Sequence, residues 1–157
     1  MVKQTTIQTP KGAMVAVCKG NSLTGLWYVG QAHFPKTLSQ IEAGDHPVFT
    51  QTKAWLDAYF AKKPLPALPP MMPQGTAFQQ AVWGQLQTIP YGKTTTYGAI
   101  AKAIGMPKAC QAVGGAVGRN PITLLIPCHR VVGADGSLTG YAGGLDRKTA
   151  FLEIEQE

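Results

Sequence analysis

The sequence predicts an α+β protein in two parts, a small sheet-and-helix unit followed by a mostly helical one. Three observations carry this reading. Short apolar runs alternate with turn residues over 5–30, an aromatic stripe of helical period occupies 47–60, and a proline-dense stretch separates both from a second half ruled by helical periods. With 45% hydrophobic and 14% charged residues, the 157-residue chain can bury a core. No apolar run is long enough to span a membrane, and Met1 to Thr6 lacks the apolar stretch of a signal peptide, so no membrane association and a cytoplasmic location are expected.

In chain order, Thr9-Pro10-Lys11-Gly12 and Lys19-Gly20-Asn21 are turns flanked by the runs Ala13 to Cys18 and Leu23 to Val29, which reads as a small antiparallel sheet. Cys18 lies within one of these runs and is expected as a buried small hydrophobe. From Pro47, Val48, Thr52, Trp55, Leu56, Tyr59 and Phe60 recur at three-to-four-residue spacing, an amphipathic helix with Asp45 as a cap. Pro64, Pro66, Pro69, Pro70 and Pro73 then exclude helix and favour an extended, semi-rigid connector over about 62–75. The domains are therefore drawn at 1–72 and 76–157.

The second half opens with Thr76 capping a helix to about Gln87 that has Phe78, Val82 and Leu86 on one face. Ile89-Pro90-Tyr91-Gly92-Lys93 is a turn. Thr94 to Tyr97 leads into a helix ending near Gly105, with Ile100, Ala103 and Ile104 apolar, and Met106-Pro107 starts another that runs to about Gly118. The pair is a helix-turn-helix candidate. In its second helix nearly every side chain is small, and two adjacent glycines cost about 1 kcal/mol each relative to alanine. Either tight packing within the protein or entry into a narrow nucleic-acid groove would require them. A turn at Gly133 to Ser137, a glycine-dense segment from Leu138 to Leu145 and a last helix capped by Asp146, with Ala150, Phe151, Leu152 and Ile154, complete the chain.

The chemistry concentrates at Pro127-Cys128-His129-Arg130. A thiol attacks carbon as the thiolate, so its site must supply a base or a positive potential. His129 is adjacent, but neighbours in an extended segment point opposite ways, which calls for a bridging water or a sharp turn after Pro127. Glu153, Glu155 and Glu157 are the carboxylates that could orient the imidazole. The odd, widely spaced cysteines Cys18, Cys110 and Cys128, with the scattered His33, His46 and His129, argue against a disulfide framework and against a metal site. The formal charge is +6, and between Asp57 and Asp135 there is no acidic residue. That interval holds Lys62, Lys63, Lys93, Lys102, Lys108, Arg119 and Arg130, a distribution suited to a phosphate backbone.

Ile126-Pro127-Cys128-His129-Arg130-Val131, preceded by Gly118-Arg119-Asn120-Pro121 and followed by Gly140-Tyr141-Ala142-Gly143-Gly144, resembles the methylated-DNA-protein-cysteine methyltransferases, the O6-alkylguanine-DNA alkyltransferases. Phe78 to Trp83, Ile89-Pro90-Tyr91-Gly92 and Ala112-Val113-Gly114 match in order as well, so the resemblance runs from about Thr76 to Glu155, while residues 1–75 match in general character only. It implies a ribonuclease-H-like α/β domain followed by a winged-helix-like DNA-binding domain whose recognition helix enters the minor groove of double-stranded DNA. The O6-alkylguanine is flipped out and its alkyl group is passed irreversibly to the protein. No cofactor is implied.

Carried over residue by residue, the resemblance makes Cys128 the alkyl acceptor, His129 the base acting through water, Glu155 the carboxylate that orients it, and Asn120 the tie between recognition helix and active-site segment. Thr96, Tyr97, Gln111 and Gly114 would contact DNA, and Tyr97, Val117, Val131, Tyr141 and Ala142 would line the base pocket. Arg130 is expected in a structural ion pair at least as much as on DNA. Nothing in the sequence supplies a second nucleophile to free the thiol, so each molecule should act once, as a monomer, with cooperative binding along DNA left open. One position departs from the family: an arginine usually precedes Ala112-Val113-Gly114, and this chain has Gln111, which predicts weaker DNA affinity with the transfer chemistry intact. Two rival readings are a lesion-binding module of the alkyltransferase-like kind, which lacks the cysteine, and a Cys-His hydrolase on small molecules.

Overall fold

The computed structural model describes residues 1–156, and Glu157 lies outside them. Two compact units divide at Pro73/Gln74. The first is a three-stranded antiparallel meander of β1 (Val2–Thr9), β2 (Gly12–Lys19) and β3 (Ser22–Tyr28), with helix α1 (Pro47–Phe60) packed on the strands. The first hairpin closes because Gly12 takes φ 127° and the Thr9 hydroxyl donates to the Gly12 carbonyl at 2.8 Å. Val15 and Val17 on β2 meet Leu38, Trp27, Phe34 and Ile41. Met14, Ala16 and Cys18 have the opposite parity and are buried too, so this central strand is apolar on both faces. Cys18 is thus a core residue.

Helix α1 buries Val48, Phe49, Thr52, Trp55, Leu56 and Tyr59, with Trp55 and Tyr59 stacked 5.2 Å apart. Its cap is His46, not Asp45: the imidazole Nδ1 accepts from Val48 N at 3.0 Å, which satisfies one of the orphaned donors of the first turn. The proline-rich stretch is extended, and Leu23 N donates to Pro70 O while Met72 N donates to Leu23 O, both at 2.8 Å. That pairing pins it to the edge of β3.

The second unit comprises α2 (Ala77–Leu86), β4 (Thr95–Thr96), α3 (Tyr97–Ala103), α4 (Cys110–Gly118), β5 (Val131–Val132) and α5 (Leu145–Glu155). Thr76 caps α2 in a reciprocal box with Gln79. Its buried face is Val82, Trp83 and Leu86, and the Trp83 indole donates to Ala116 O at 2.8 Å, fixing α2 to α4. Thr96 caps α3, whose buried residues are Ile100 and Ala101; Ala103 is exposed, because the helix stops there and turns at Gly105 with φ 78°.

Helix α4 begins at Cys110 rather than at Met106. Met106 to Ala109 form a turn closed by Ala109 N donating to Met106 O at 2.9 Å, so Pro107 serves the turn and not a first helical turn. The α3-turn-α4 arrangement is a helix-turn-helix, and the short parallel pair β4–β5 joins its start to the active-site segment. Asp146 falls inside the first turn of α5, where its charge suits the helix dipole, and Gly144 occupies the cap.

Candidate active site

Residues 122–130 are all buried, although only Val131–Val132 at their end are strand. The apolar run folds into a compact loop in which Leu124 takes φ 76°, and Cys128–Arg130 is a 3-10 turn, not an extended segment. Asn120 holds this loop in shape. Its Nδ2 donates to Ile126 O at 2.8 Å and Ile122 O at 3.3 Å, its Oδ1 accepts from Ile122 N at 3.0 Å, and its backbone N–H donates to Val117 O at the end of α4.

Because the 3-10 turn bends the chain, His129 and Arg130 converge on one carboxylate. His129 Nε2 lies 2.5 Å from Glu155 Oε2, and Arg130 Nε donates to Glu155 Oε1 at 2.7 Å. Arg130 also donates to Ile89 O at 2.8 Å and sets its guanidinium over the Tyr91 ring at 5.7 Å. It is a structural ion pair, and its charge is withdrawn from the basic surface. Gly92 N donates to Glu155 Oε1 at 3.2 Å, and a Cβ on Gly92 would sit 3.0 Å from the Glu155 carbonyl oxygen at a backbone φ of 80°. The Ile89 to Gly92 turn therefore seats the carboxylate, a duty its turn chemistry alone did not reveal. Of the other candidates, Glu153 is exposed on α5 and Glu157 is outside the described residues.

A carboxylate accepts, so the His129 proton sits on Nε2. Nδ1 is left as a buried acceptor with no partner among the described residues. Burial pulls the imidazole below its ordinary range and keeps it neutral at pH 7, opposed by Glu155. Burial likewise pushes the Cys128 thiol up, opposed by hydrogen bonds to Asn120 and Tyr141 and by the charge of Lys148. The resting group is a thiol that must lose its proton as it reacts.

Lys148 is the residue that sequence reasoning missed. A lysine in the first turns of an amphipathic helix reads as surface, yet this one is 1% exposed and donates to Val131 O at 2.7 Å. Burial lowers its pKa, and the charge of Cys128 raises it in return. The two groups are each other's electrostatic partners.

The remaining predicted residues frame this centre. Val117 and Val131 are buried, and Tyr141 and Ala142 are half-buried, with the Tyr141 ring edge-on to Phe151 at 6.2 Å. A Cβ on buried Gly143 would lie 2.7 Å from that Tyr141 ring. Thr96 spends its hydroxyl on Ala99 N, and Tyr97 places its own 2.6 Å from Thr139 Oγ1. Gln111 is exposed on α4. At Gly115 an added Cβ would meet nothing within 4 Å, and at Gly114 only the Tyr97 ring at 3.9 Å, so packing inside the protein does not require these glycines. Among the described residues no group of three His, Cys, Asp or Glu side chains could hold a metal ion, and no helix is long and apolar enough to cross a membrane.

Comparison with known proteins gives the same partition. A family model described as 6-O-methylguanine DNA methyltransferase, ribonuclease-like domain, matches residues 2–67, and one described as the DNA binding domain matches 77–157. The methylated-DNA–protein-cysteine methyltransferase of Mycobacterium leprae is 42% identical, covering 99% of this chain and 93% of its own. That of Methanosarcina acetivorans is 49% identical over 83% and 85%. The crystal structure of Mycobacterium tuberculosis O6-methylguanine methyltransferase superposes with a TM-score of 0.90 at 44% identity, covering 99% and 93%, and that of Mycobacterium tuberculosis OGT in complex with DNA with 0.88 at 42%, covering 99% and 92%. Matched in both halves and along nearly its whole length, the chain belongs to the 6-O-methylguanine DNA methyltransferase family.

Proposed function

We propose that this protein repairs O6-alkylguanine in double-stranded DNA by moving the alkyl group irreversibly onto Cys128. The observation that carries this reading is a buried thiol next in sequence to a buried imidazole whose Nε2 is held by Glu155 and whose Nδ1 has no partner among the described residues. The exposed, glycine-bearing face of α4 lies against the minor groove, with Gln111 and Gly114 on that face and Thr96 and Tyr97 beside it. The lesion base is flipped, at a cost of a few kcal/mol that is smaller for a damaged pair. It enters a pocket walled by Tyr97, Val117, Val131, Tyr141 and Ala142.

The thiol proton passes through a water to His129 Nδ1 as sulfur attacks the alkyl carbon. The new S–C bond forms as the C–O bond breaks, and the electron pair goes to the guanine, which takes a proton from water to become the normal base, while the imidazolium returns its proton to solvent. Lys148 and Glu155 carry the charges that develop at sulfur and imidazolium. A thioether has no route back to the thiol, so each molecule acts once. The DNA-contacting and reactive groups all belong to 76–157, and 1–72 is a structural domain. The protein works as a monomer in the cytoplasm.

The test is to incubate the protein with an oligonucleotide containing O6-methylguanine and weigh the intact chain. A single-methyl gain that disappears in Cys128→Ser supports transfer. DNA binding with no gain in mass would assign the protein to lesion recognition instead, and neither binding nor gain would refute both.

A further inference from the structure

Helix α5 buries Lys148, Phe151 and Glu155, whose spacing puts them on one face. The charge of Lys148 acts on Cys128, and Glu155 holds His129. Between them on that face, Phe151 offers no polar atom. Its ring instead stands edge to face against His129, with centroids 5.4 Å apart at 71°, and against Tyr141 at 6.2 Å and 84°. Phe151 has no exposed surface, so close packing leaves its ring nowhere to turn. His129 needs such a neighbour. Among the described residues its side chain makes one hydrogen bond, at Nε2. Nε2 lies close to the Cβ–Cγ axis, so a bond there barely opposes rotation about χ2, a torsion with broad wells, and that rotation is what swings Nδ1. An aromatic ring packed edge to face against the imidazole does oppose it.

We infer that Phe151 is a positioning residue that fixes the plane of the His129 ring, and with it the direction from which Nδ1 accepts the proton of Cys128. The inference rests on the alkyl-transfer reading above. A general base contributes in full only when its acceptor atom is held on the line of proton transfer. Glu155 sets the tautomer and the charge of the imidazole, and Phe151 sets its rotation. Because Phe151 acts through the base alone, its removal lowers the rate of proton removal and leaves every other part of the transfer as it was.

The test replaces Phe151 by Leu and, separately, by Met, both of which keep apolar bulk at the position and remove the ring. Neither alters the charges that act on His129, which belong to Glu155, Arg130 and Lys148. Chemical denaturation identifies the better folded of the two. Single-turnover methyl transfer from an O6-methylguanine oligonucleotide is then followed across pH at saturating protein, beside equilibrium binding. Transfer at neutral pH is expected to slow about tenfold, part of the roughly 10²–10⁴-fold that a positioned base supplies, with affinity unchanged. The deficit should narrow as the pH rises and hydroxide takes over ionisation of the thiol. In a His129→Gln background the same substitution should cost nothing further. A wild-type rate without the ring, a deficit of one constant factor at every pH, a loss in affinity rather than rate, or an additive loss with His129→Gln overturns the inference while leaving methyl transfer standing. Absence of transfer by the wild-type protein removes the parent reading and this one with it.

Discussion

Helix α4 and the loop that follows it share Asn120 as their junction, yet they are built on opposite principles. Along α4 the outward residues Gln111, Ala112 and Gly115 are exposed, and an added Cβ at Gly115 would touch nothing. From Ile122 to Arg130 every residue is buried, and the polar side chains of Asn120, His129 and Arg130 are engaged within the protein save for one ring nitrogen. The difference teaches where function can be separated from folding. A substitution on the outer face of α4 alters binding without weakening the fold, whereas one in the loop alters chemistry and stability together.

The largest effect expected from this contrast is that of Glu155→Gln. It leaves the Arg130 charge buried without its carboxylate, and breaking such a pair costs about 3–5 kcal/mol. Chemical denaturation should show a loss of that order, with methyl transfer falling in parallel; a fully stable variant would mean the loop does not depend on this ion pair.

A smaller effect separates the loop by pH. The folded His129 has its pKa lowered by burial, so the unfolded chain takes up a proton first as the pH falls below about 6.5, and stability should decline from there downward. The transfer rate should hold level through neutral pH and fall only once the buried imidazole itself protonates. A rate that falls in step with an ordinary histidine, or a flat profile through the acid range, would remove His129 as the base.

On α4 the sign reverses. Gly115→Ala should raise the unfolding free energy by up to about 1 kcal/mol, since a helical glycine is replaced and nothing is crowded, while DNA affinity drops. Affinity equal to wild type would place the DNA on another face. The smallest effect belongs to Gln111→Arg, which adds a charge and a planar fork at an exposed site. Tighter binding to lesion DNA with an unchanged transfer rate at saturation is expected, and unchanged or weaker affinity in a filter or anisotropy assay would dispose of the idea.

These two regions also differ in how much of them could be read from sequence. The helical stripes of α1 and α2 and the Thr76 cap follow local rules, and local rules suffice for them. Where a distant group decides, the reading failed. Asp45 and Asp146 are ordinary capping residues, but a histidine nitrogen and Gly144 occupy those positions instead. Met106-Pro107 has the look of a helix start until Gly105 turns the chain first. The 3-10 turn at Cys128 is set by Asn120 and the carbonyls it gathers, and a rule for neighbours in extended chain could not anticipate it.

Composition left three glutamates open at the C-terminus; the family resemblance pointed to Glu155, and only the fold brings it against His129. Lys148 was invisible for the same reason. Its burial is made by Val131 O and Thr139, residues that precede it by a turn and a glycine-rich segment, so no helical pattern announces it.

The bond from the Trp83 indole to Ala116 O has a practical corollary. Trp27 and Trp55 belong to the first unit, which leaves Trp83 as the sole indole of the second, anchored to the backbone of α4. Fluorescence emission is sensitive to that hydrogen bond. With the other two tryptophans replaced by phenylalanine, the chain would carry its own optical probe of the helix proposed to meet DNA, and no dye would be needed to watch it settle on a lesion.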